Sequence, residues 1–254
     1  YVRNLLVLSH SNCEIIQVDS EHNGIFRTLC AEKLSAIDKV TITASGGPFL
    51  NYSAKDLHNI TPAKAIQHPN WNMGKKISVD SATMMNKAME LIEAFQFFPL
   101  KHEQLDVIIH PQSIVHSLIS YIDGSVIAML SKADMKISIA NAIFYPNIKP
   151  VANMQLDLHK IGQLDFIEAN AEKYLALKIA DYVIKHDACL PVVMNASNEI
   201  AVEAFLNGKI SFLDITKIVE KIVFEFRNCP LESLEHLFAV DTEIRQLTKE
   251  IINV

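Results

Sequence analysis

The chain has 254 residues, 50% apolar and 20% charged, enough to bury the core of one large domain or two ordinary ones, and this composition excludes intrinsic disorder. Its 23 basic and 29 acidic side chains give a net charge of −6 with no long run of one sign. The basic stripe that phosphate neutralisation needs is therefore missing, and nucleic acid is not an expected partner. No apolar stretch is long enough to span a bilayer and residues 1–10 hold no small-residue cleavage signal, so a cytoplasmic protein without membrane attachment is expected.

The chain opens without methionine and runs into residues 14–18, a short apolar run that reads as a buried strand, as if the sequence began in the middle of a protein. Ser20 is the expected cap of a helix reaching about residue 34, and residues 39–44 alternate Val, Ile and Thr as a strand. Ser45, Gly46, Gly47 and Pro48 break the chain, and Thr61 with Pro62 starts a helix. Residues 68–80 carry Pro, Asn and Gly around the single tryptophan and read as a functional or mobile loop. A helix is predicted over 81–97, then strands over 105–109, 113–121 and 125–130, the last two joined as a hairpin by Asp123 and Gly124. A helix over 135–145 and a connection punctuated by Pro146 and Pro150 follow, and after residue 171 there are four or five helices and no strand. The expected architecture is an α+β catalytic domain with a mixed sheet and flanking helices over 1–145, a linker over 146–168, and an all-α helical bundle over 169–254.

Cys13, Cys30, Cys189 and Cys229 are too far apart in sequence for a zinc knuckle and read as reduced thiols. The seven glycines assemble neither a dinucleotide fingerprint nor a phosphate loop.

Several polar groups admit two readings. Asn86, Lys87, Glu90 and Glu93 form one stripe on an otherwise apolar helix: either a solvated face with an i to i+3 pair between Lys87 and Glu90, worth a few tenths of a kcal/mol, or a site. Asp19, Ser20, Glu21 and His22 stand where a strand turns into a helix. They are either a cap by Asp19 and Ser20, with Glu21 satisfying the dipole, or oxygen ligands for a hard cation. The turn at Ser45, Gly46 and Gly47 could present N–H groups to an anion. His110 and His116 bracket a turn between two strands, where hydrogen-bonded structural histidines are commoner than catalysts.

In order and wording these groups resemble 1-deoxy-D-xylulose 5-phosphate reductoisomerase. The likeness runs from Val18 to Asn23 through Ser45 to Phe49, His68 to Trp71, Gly74 to Lys87 with Glu90 and Glu93, His110 to Ser113, Asp134 with Met135, and Asn195 to Phe205. It implies a homodimeric enzyme that isomerises 1-deoxy-D-xylulose 5-phosphate, a small phosphorylated sugar, and reduces the product with NADPH, using Mg²⁺ or Mn²⁺, to 2-C-methyl-D-erythritol 4-phosphate in non-mevalonate isoprenoid biosynthesis. By the same likeness Asp19, Glu21 and Glu90 hold the metal, and Glu21, Lys87, Glu90 and His116 carry the catalysis. Ser20, Ser45, Ser81, Asn86, Lys87, Ser113 and His116 bind substrate, with Ser81 placing phosphate near a helix N-terminus. Residues 68–73 form a flap in which His68 and Trp71 close over the substrate, while Met73 and Met135 meet the nicotinamide. The family's N-terminal NADPH-binding domain has no counterpart in these residues, so residues 1–145 would open on the end of that domain and the 254-residue chain alone is expected to oxidise no NADPH. Without the resemblance, the same carboxylates and phosphate donors fit a metal-dependent phosphosugar isomerase or aldolase. The strand-free C-terminal residues fit a helical interaction module, although no charge cluster there supports one.

Overall fold

The computed structural model describes residues 15–29, 34–53 and 55–253. By contact density these fall into two units, one built from the chain up to Ser45 with Ala94–Glu168, the other from Gly46–Glu93 with Ala169–Val254.

The first unit is a helix-covered mixed sheet. Helix α1 (Ser20–Leu29) is followed, after a short 3₁₀ turn, by β1 (Ile37–Ala44). Then come β2 (Leu105–Ile109), β3 (Val115–Tyr121) and β4 (Val126–Leu130). The sheet order is β4-β3-β1-β2-β5, where β5 is the pair Ile167–Glu168. Only β1 and β2 run parallel, while β3 lies antiparallel to both β1 and β4. Ile37, Val40 and Ile42 of β1, Val115 and Ile119 of β3 and Ile25 of α1 are buried, so both strands contribute to the core beneath α1. Helix α1 lies against β3 and β4, close enough that a Cβ on Gly24 would meet Ser117 Oγ at 2.5 Å.

Three expectations for this unit need correction. Residues 15–18 carry no strand, and Glu14 lies outside the described residues; an apolar run cannot be a strand without a ladder partner. The helix expected to reach about residue 34 is described as α1 to Leu29, 30–33 lie outside the described residues, and Leu34 already opens the 3₁₀ turn. In the segment read as a linker, the backbone of Ile167 and Glu168 pairs antiparallel with Ile109 and Ile108.

The second unit contains α2 (Pro62–Ala65), α3 (Lys75–Thr83), most of α4 (Met85–Phe97), and the C-terminal α7 (Leu175–His186), α8 (Leu190–Leu206), α9 (Phe212–Glu225) and α10 (Leu234–Ile252). The intervening α5 (Lys136–Phe144) and α6 (Leu158–Ile161) belong to the first unit. Helix α8 is apolar on most sides and is packed by α9 and α10, with Glu199 and Glu203 on its remaining solvent-facing side. Around it Phe49, Ile60, Val79, Ala82, Phe205, Phe212 and Ile215 share one core, with Phe212 edge-on to Phe49 at 5.4 Å and to Phe205 at 5.8 Å.

The loop expected over 68–80 ends at Gly74, because Lys75–Thr83 is already helical. The single helix expected over 81–97 is two, broken at Met84, whose φ of 64° is left-handed. Thr83 Oγ1 accepts the Met85 N–H across the break at 3.3 Å. Periodicity misses it because the break rests on one backbone conformation and not on a glycine or proline.

Candidate functional site

In the first unit the polar knot sits at the start of α1. Asp19 is the cap: its Oδ1 accepts the N–H of Glu21 at 3.1 Å and of His22 at 3.3 Å, and its carbonyl accepts the Asn23 N–H at 2.8 Å. The capping expected of Ser20 therefore belongs to the residue before it. Ser20 is helical and buried, and its hydroxyl donates to Glu21 Oε2 at 2.8 Å. Both acids lie at the positive end of the helix dipole.

A carboxylate oxygen of Asp19 and one of Glu21 lie within 4.8 Å of each other. Asp19 Oδ1 is 3.6 Å from His22 Nδ1, and the His22 ring packs edge-on against Phe97 at 6.1 Å. Glu21 Oε1 stands 3.7 Å from Nδ1 of His116, on β3. The other ring nitrogen of His116 is 2.9 Å from Ser131 Oγ. His116 is thus buried, with Nε2 held by Ser131 and Nδ1 close to the Glu21 carboxylate. The side chain of Asp19 is 41% exposed and that of Glu21 15%, so the pair is open to an incoming cation. Ser131, just past β4, is a missed residue. It lies 15 positions from His116, and only the β3–β4 pairing brings the two together.

Other predicted positions in this unit are distributed along the sheet. Ser45 follows β1. Ser113, buried at a φ of 52°, donates its N–H to the His110 carbonyl at 3.0 Å; such a φ in a non-glycine residue marks a constrained turn. Met135, half-buried, caps the start of α5. His110 is structural, its Nδ1 2.8 Å from the Asp165 carbonyl and its ring stacked on Phe166 at 4.9 Å.

In the second unit, Asn86, Lys87 and Glu90 occupy the first turns of α4. Lys87 Nζ lies 2.5 Å from one oxygen of Glu90, and Asn86 donates to the other. The i to i+3 pair forms as spacing predicts, but the solvated-face reading fails: the side chains of Lys87 and Glu90 are 7% and 5% exposed. Glu93 of the same stripe faces water. Two buried charges require each other, since either alone would face a large desolvation penalty.

Ser81 lies in the last turn of α3, its carbonyl accepting the Met84 N–H at 3.3 Å, so it does not open a helix. The helix whose first turn carries Asn86 and Lys87 is α4. Gly47 packs against the end of α3: a Cβ there would meet the Ser81 carbonyl at 2.9 Å and Ala82 Cα at 3.0 Å, at a φ of 64°. In the loop expected to act as a flap, His68 Nδ1 accepts the N–H of Asn70 at 3.1 Å and of Trp71 at 3.0 Å. This requires a neutral ring, and burial lowers the His68 pKa from its ordinary value. Trp71 and Met73 are half-buried.

The same unit holds a second buried acid that sequence reading missed. Asp80 accepts from Lys76 Nζ at 2.7 Å and from Asn198 Nδ2 at 2.9 Å, and burial nevertheless pushes its carboxyl above the usual range. The i to i+4 spacing of Lys76 and Asp80 becomes a signal only once 75–83 is recognised as helix.

Two family descriptions match the chain: the 1-deoxy-D-xylulose 5-phosphate reductoisomerase C-terminal domain over residues 15–98, and the DXP reductoisomerase C-terminal domain over 130–247. The 1-deoxy-D-xylulose 5-phosphate reductoisomerase of Zymomonas mobilis is 45% identical over 91% of this chain and 60% of its own length. That of Vesicomyosocius okutanii is 46% identical over 95% of this chain and 63% of its own length. The chain thus spans a little over three-fifths of these relatives at most. Among solved structures, the Zymomonas mobilis enzyme in complex with NADPH superposes with a TM-score of 0.86 at 43% identity, covering 92% of this chain and 61% of that one. A DOX-P reductoisomerase in complex with NADPH, fosmidomycin and magnesium gives 0.84 at 40% identity, over 93% of this chain and 62% of that one. With both family matches falling on the described units and this likeness running along nearly the whole sequence, the chain belongs to the 1-deoxy-D-xylulose 5-phosphate reductoisomerase family.

Proposed function

We propose that this protein acts in the metal-dependent isomerisation of 1-deoxy-D-xylulose 5-phosphate and its NADPH-dependent reduction to 2-C-methyl-D-erythritol 4-phosphate, in the cytoplasm, within non-mevalonate isoprenoid synthesis. The observation that carries this reading is the buried ion pair of Lys87 and Glu90, joined by half-buried Asn86, on a helix whose neighbouring positions Met85, Ala88 and Leu91 are buried apolar residues. Packing alone has no use for a buried ion pair there.

Asp19, Glu21 and Glu90 would hold Mg²⁺ or Mn²⁺, and an all-carboxylate set of hard oxygens fits such ions. When bound, the ion supplies Lewis-acid polarisation of the substrate's ketone and neighbouring hydroxyl. Around it His116, fixed between Glu21 and Ser131, would orient substrate hydroxyls and hold a proton at a defined nitrogen, with Ser20 and Ser113 as further hydroxyl partners. Asn86 and Lys87, with Ser45 and Ser81, would take the phosphate, lysine as a point charge. His68 and Trp71 would close over the bound sugar and exclude water. NADPH, when bound, supplies the hydride; Met73 and Met135 offer half-buried apolar walls that fit a nicotinamide ring. The exposed apolar side chains Val126 and Ile127 on edge strand β4, with Ile139, Ile143 and Phe144 on α5, support a homodimer.

The first test is Mn²⁺ titration of the chain and of Glu90→Gln, with circular dichroism as folding control. The variant should bind at least about tenfold more weakly, roughly 1.4 kcal/mol; equal affinity in a folded variant would remove Glu90 from the ligand set. In the full-length protein, substrate should cause metal-dependent NADPH oxidation. Metal and phosphate binding without NADPH consumption would leave a metal-dependent isomerase or aldolase instead.

A further inference from the structure

Two of the four cysteines that look unrelated in sequence are neighbours. Cys189 is buried at the start of α8 and Cys229 is half-buried between α9 and α10. Their sulfurs lie 3.5 Å apart, against about 2.05 Å in a disulfide. We propose that Cys189 and Cys229 are a peroxide-reactive dithiol, in which Cys229 is oxidised first and Cys189 resolves it into a disulfide.

The surroundings distinguish the two thiols. Cys229 has the solvent access that an oxidant needs, and its Sγ is 4.0 Å from Nε2 of His236. His236 is anchored at the start of α10, its own N–H donating to Ser233 Oγ at 3.0 Å, while the Glu232 N–H points at its Nδ1 from 3.5 Å. An accepting Nδ1 puts the ring proton on Nε2, facing the Cys229 sulfur as a donor at the atom to be oxidised. Cys189 has no such access, and burial is the leading cause that raises its thiol pKa. It is held for the second step: the Cys229 N–H donates to its Sγ, and its own S–H reaches Asn228 Oδ1, each at 3.3 Å. Asn228 in turn donates to the His186 carbonyl at the end of α7 at 3.0 Å. The pair is therefore seated where three helix ends are tied together, so side-chain rotation, with roughly 1.5 Å of sulfur movement, brings the atoms to bonding distance.

With hydrogen peroxide as oxidant the chemistry balances. The Cys229 thiolate attacks one peroxide oxygen, an S–O bond forms, the O–O bond breaks, and the departing hydroxide takes a proton and leaves as water. The Cys189 sulfur then attacks the Cys229 sulfur, the S–S bond forms, the S–O bond breaks, and a second water leaves with the Cys189 proton. Two thiols and one peroxide become one disulfide and two waters.

The test treats the whole chain with a slight excess of hydrogen peroxide and maps unreduced peptides by mass spectrometry. A Cys13→Ser/Cys30→Ser version is run in parallel, because those cysteines lie outside the described residues. A cross-link between Cys189 and Cys229, lighter by two hydrogens and reversed by dithiothreitol, is expected in both. With Cys189→Ser, or Cys189→Ala should serine not be tolerated in the buried position, dimedone should label Cys229. With Cys229→Ser, Cys189 should stay unlabelled. Cross-links confined to Cys13 or Cys30, dimedone on Cys189 in the Cys229→Ser protein, or two unreacted thiols at 189 and 229 would each overturn the proposal.

Discussion

The two units each hold an acid in contact with a basic side chain, and they do so in opposite ways. In the second, Glu90 is answered from within one helical turn by a permanent cation, Lys87, and an amide, Asn86, with the ion pair shut away from water. In the first, Glu21 is answered from another element, by an imidazole on β3 that is itself held by Ser131, and the acid keeps some exposure. The lesson is that a local pair can be buried because its geometry comes with the helix, whereas a pair built across strand and helix depends on the sheet that brings its members together. Glu21 and Asp19 keep access to solvent, whereas Glu90 is neutralised within its own helix.

The sharpest way to break this contrast is to remove one partner from each pair. Lys87→Met leaves the buried Glu90 without its cation and should cost about 3–5 kcal/mol of unfolding free energy, whereas Glu21→Gln should cost about 1 kcal/mol or less. Urea unfolding of both variants checks this. Similar small losses would show that Lys87 reaches water in solution and that the buried pair is not the resting state. Lys87→Met should also weaken phosphate binding by ~1.5–3 kcal/mol, read by calorimetry on the folded fraction.

A second comparison uses one glycine in each unit. Gly47→Ala must place a Cβ against the backbone of Ser81 and Ala82 at a left-handed φ and should destabilise by about 1–3 kcal/mol. In Gly24→Ala the new methyl meets first the hydroxyl of Ser117, which can rotate away, and alanine returns up to about 1 kcal/mol of helix propensity. Its net effect on the thermal midpoint should be the smaller of the two. The reverse order would mean that the turn after β1 yields more easily than the packing of α1 on the sheet.

The smallest effect concerns the flap. His68 accepts two backbone N–H groups only while neutral, and its pKa is lowered in the folded protein. Its contribution to flap order is therefore present above the ordinary histidine value of 6.5 and is lost as pH falls below that toward the lowered one. Fluorescence of Trp71, the only tryptophan, should report the loop loosening over that interval, and His68→Phe should abolish the transition. An emission that does not move with pH would show that the turn does not depend on the imidazole.

How legible all this is in the sequence depends on distance along the chain. The strands 105–109, 113–121 and 125–130, the hairpin at Asp123 and Gly124 and the helices after residue 171 are set by alternation, turn residues and apolar periodicity, and they appear with boundaries shifted by a residue or two. The same local physics makes Lys87 and Glu90 partners, because residues three apart share a helix face. Their burial was not legible, since it depends on what covers that face. Nor was the break at Met84, which no glycine or proline announces. The absence of a strand at 15–18 is equally a tertiary matter, because a ladder needs a neighbour. His116 meeting Glu21 and Ser131, Asn198 meeting Asp80, and Cys189 meeting Cys229 join residues that are 95, 15, 118 and 40 positions apart. By itself the sequence determined which residues could carry charge, metal or a hydrogen bond and which stretches are helix or strand, because those follow from side-chain chemistry and near-neighbour spacing. Only the tertiary structure decided which of them are partners and which are dry, because both depend on elements distant in sequence packing against one another and excluding water.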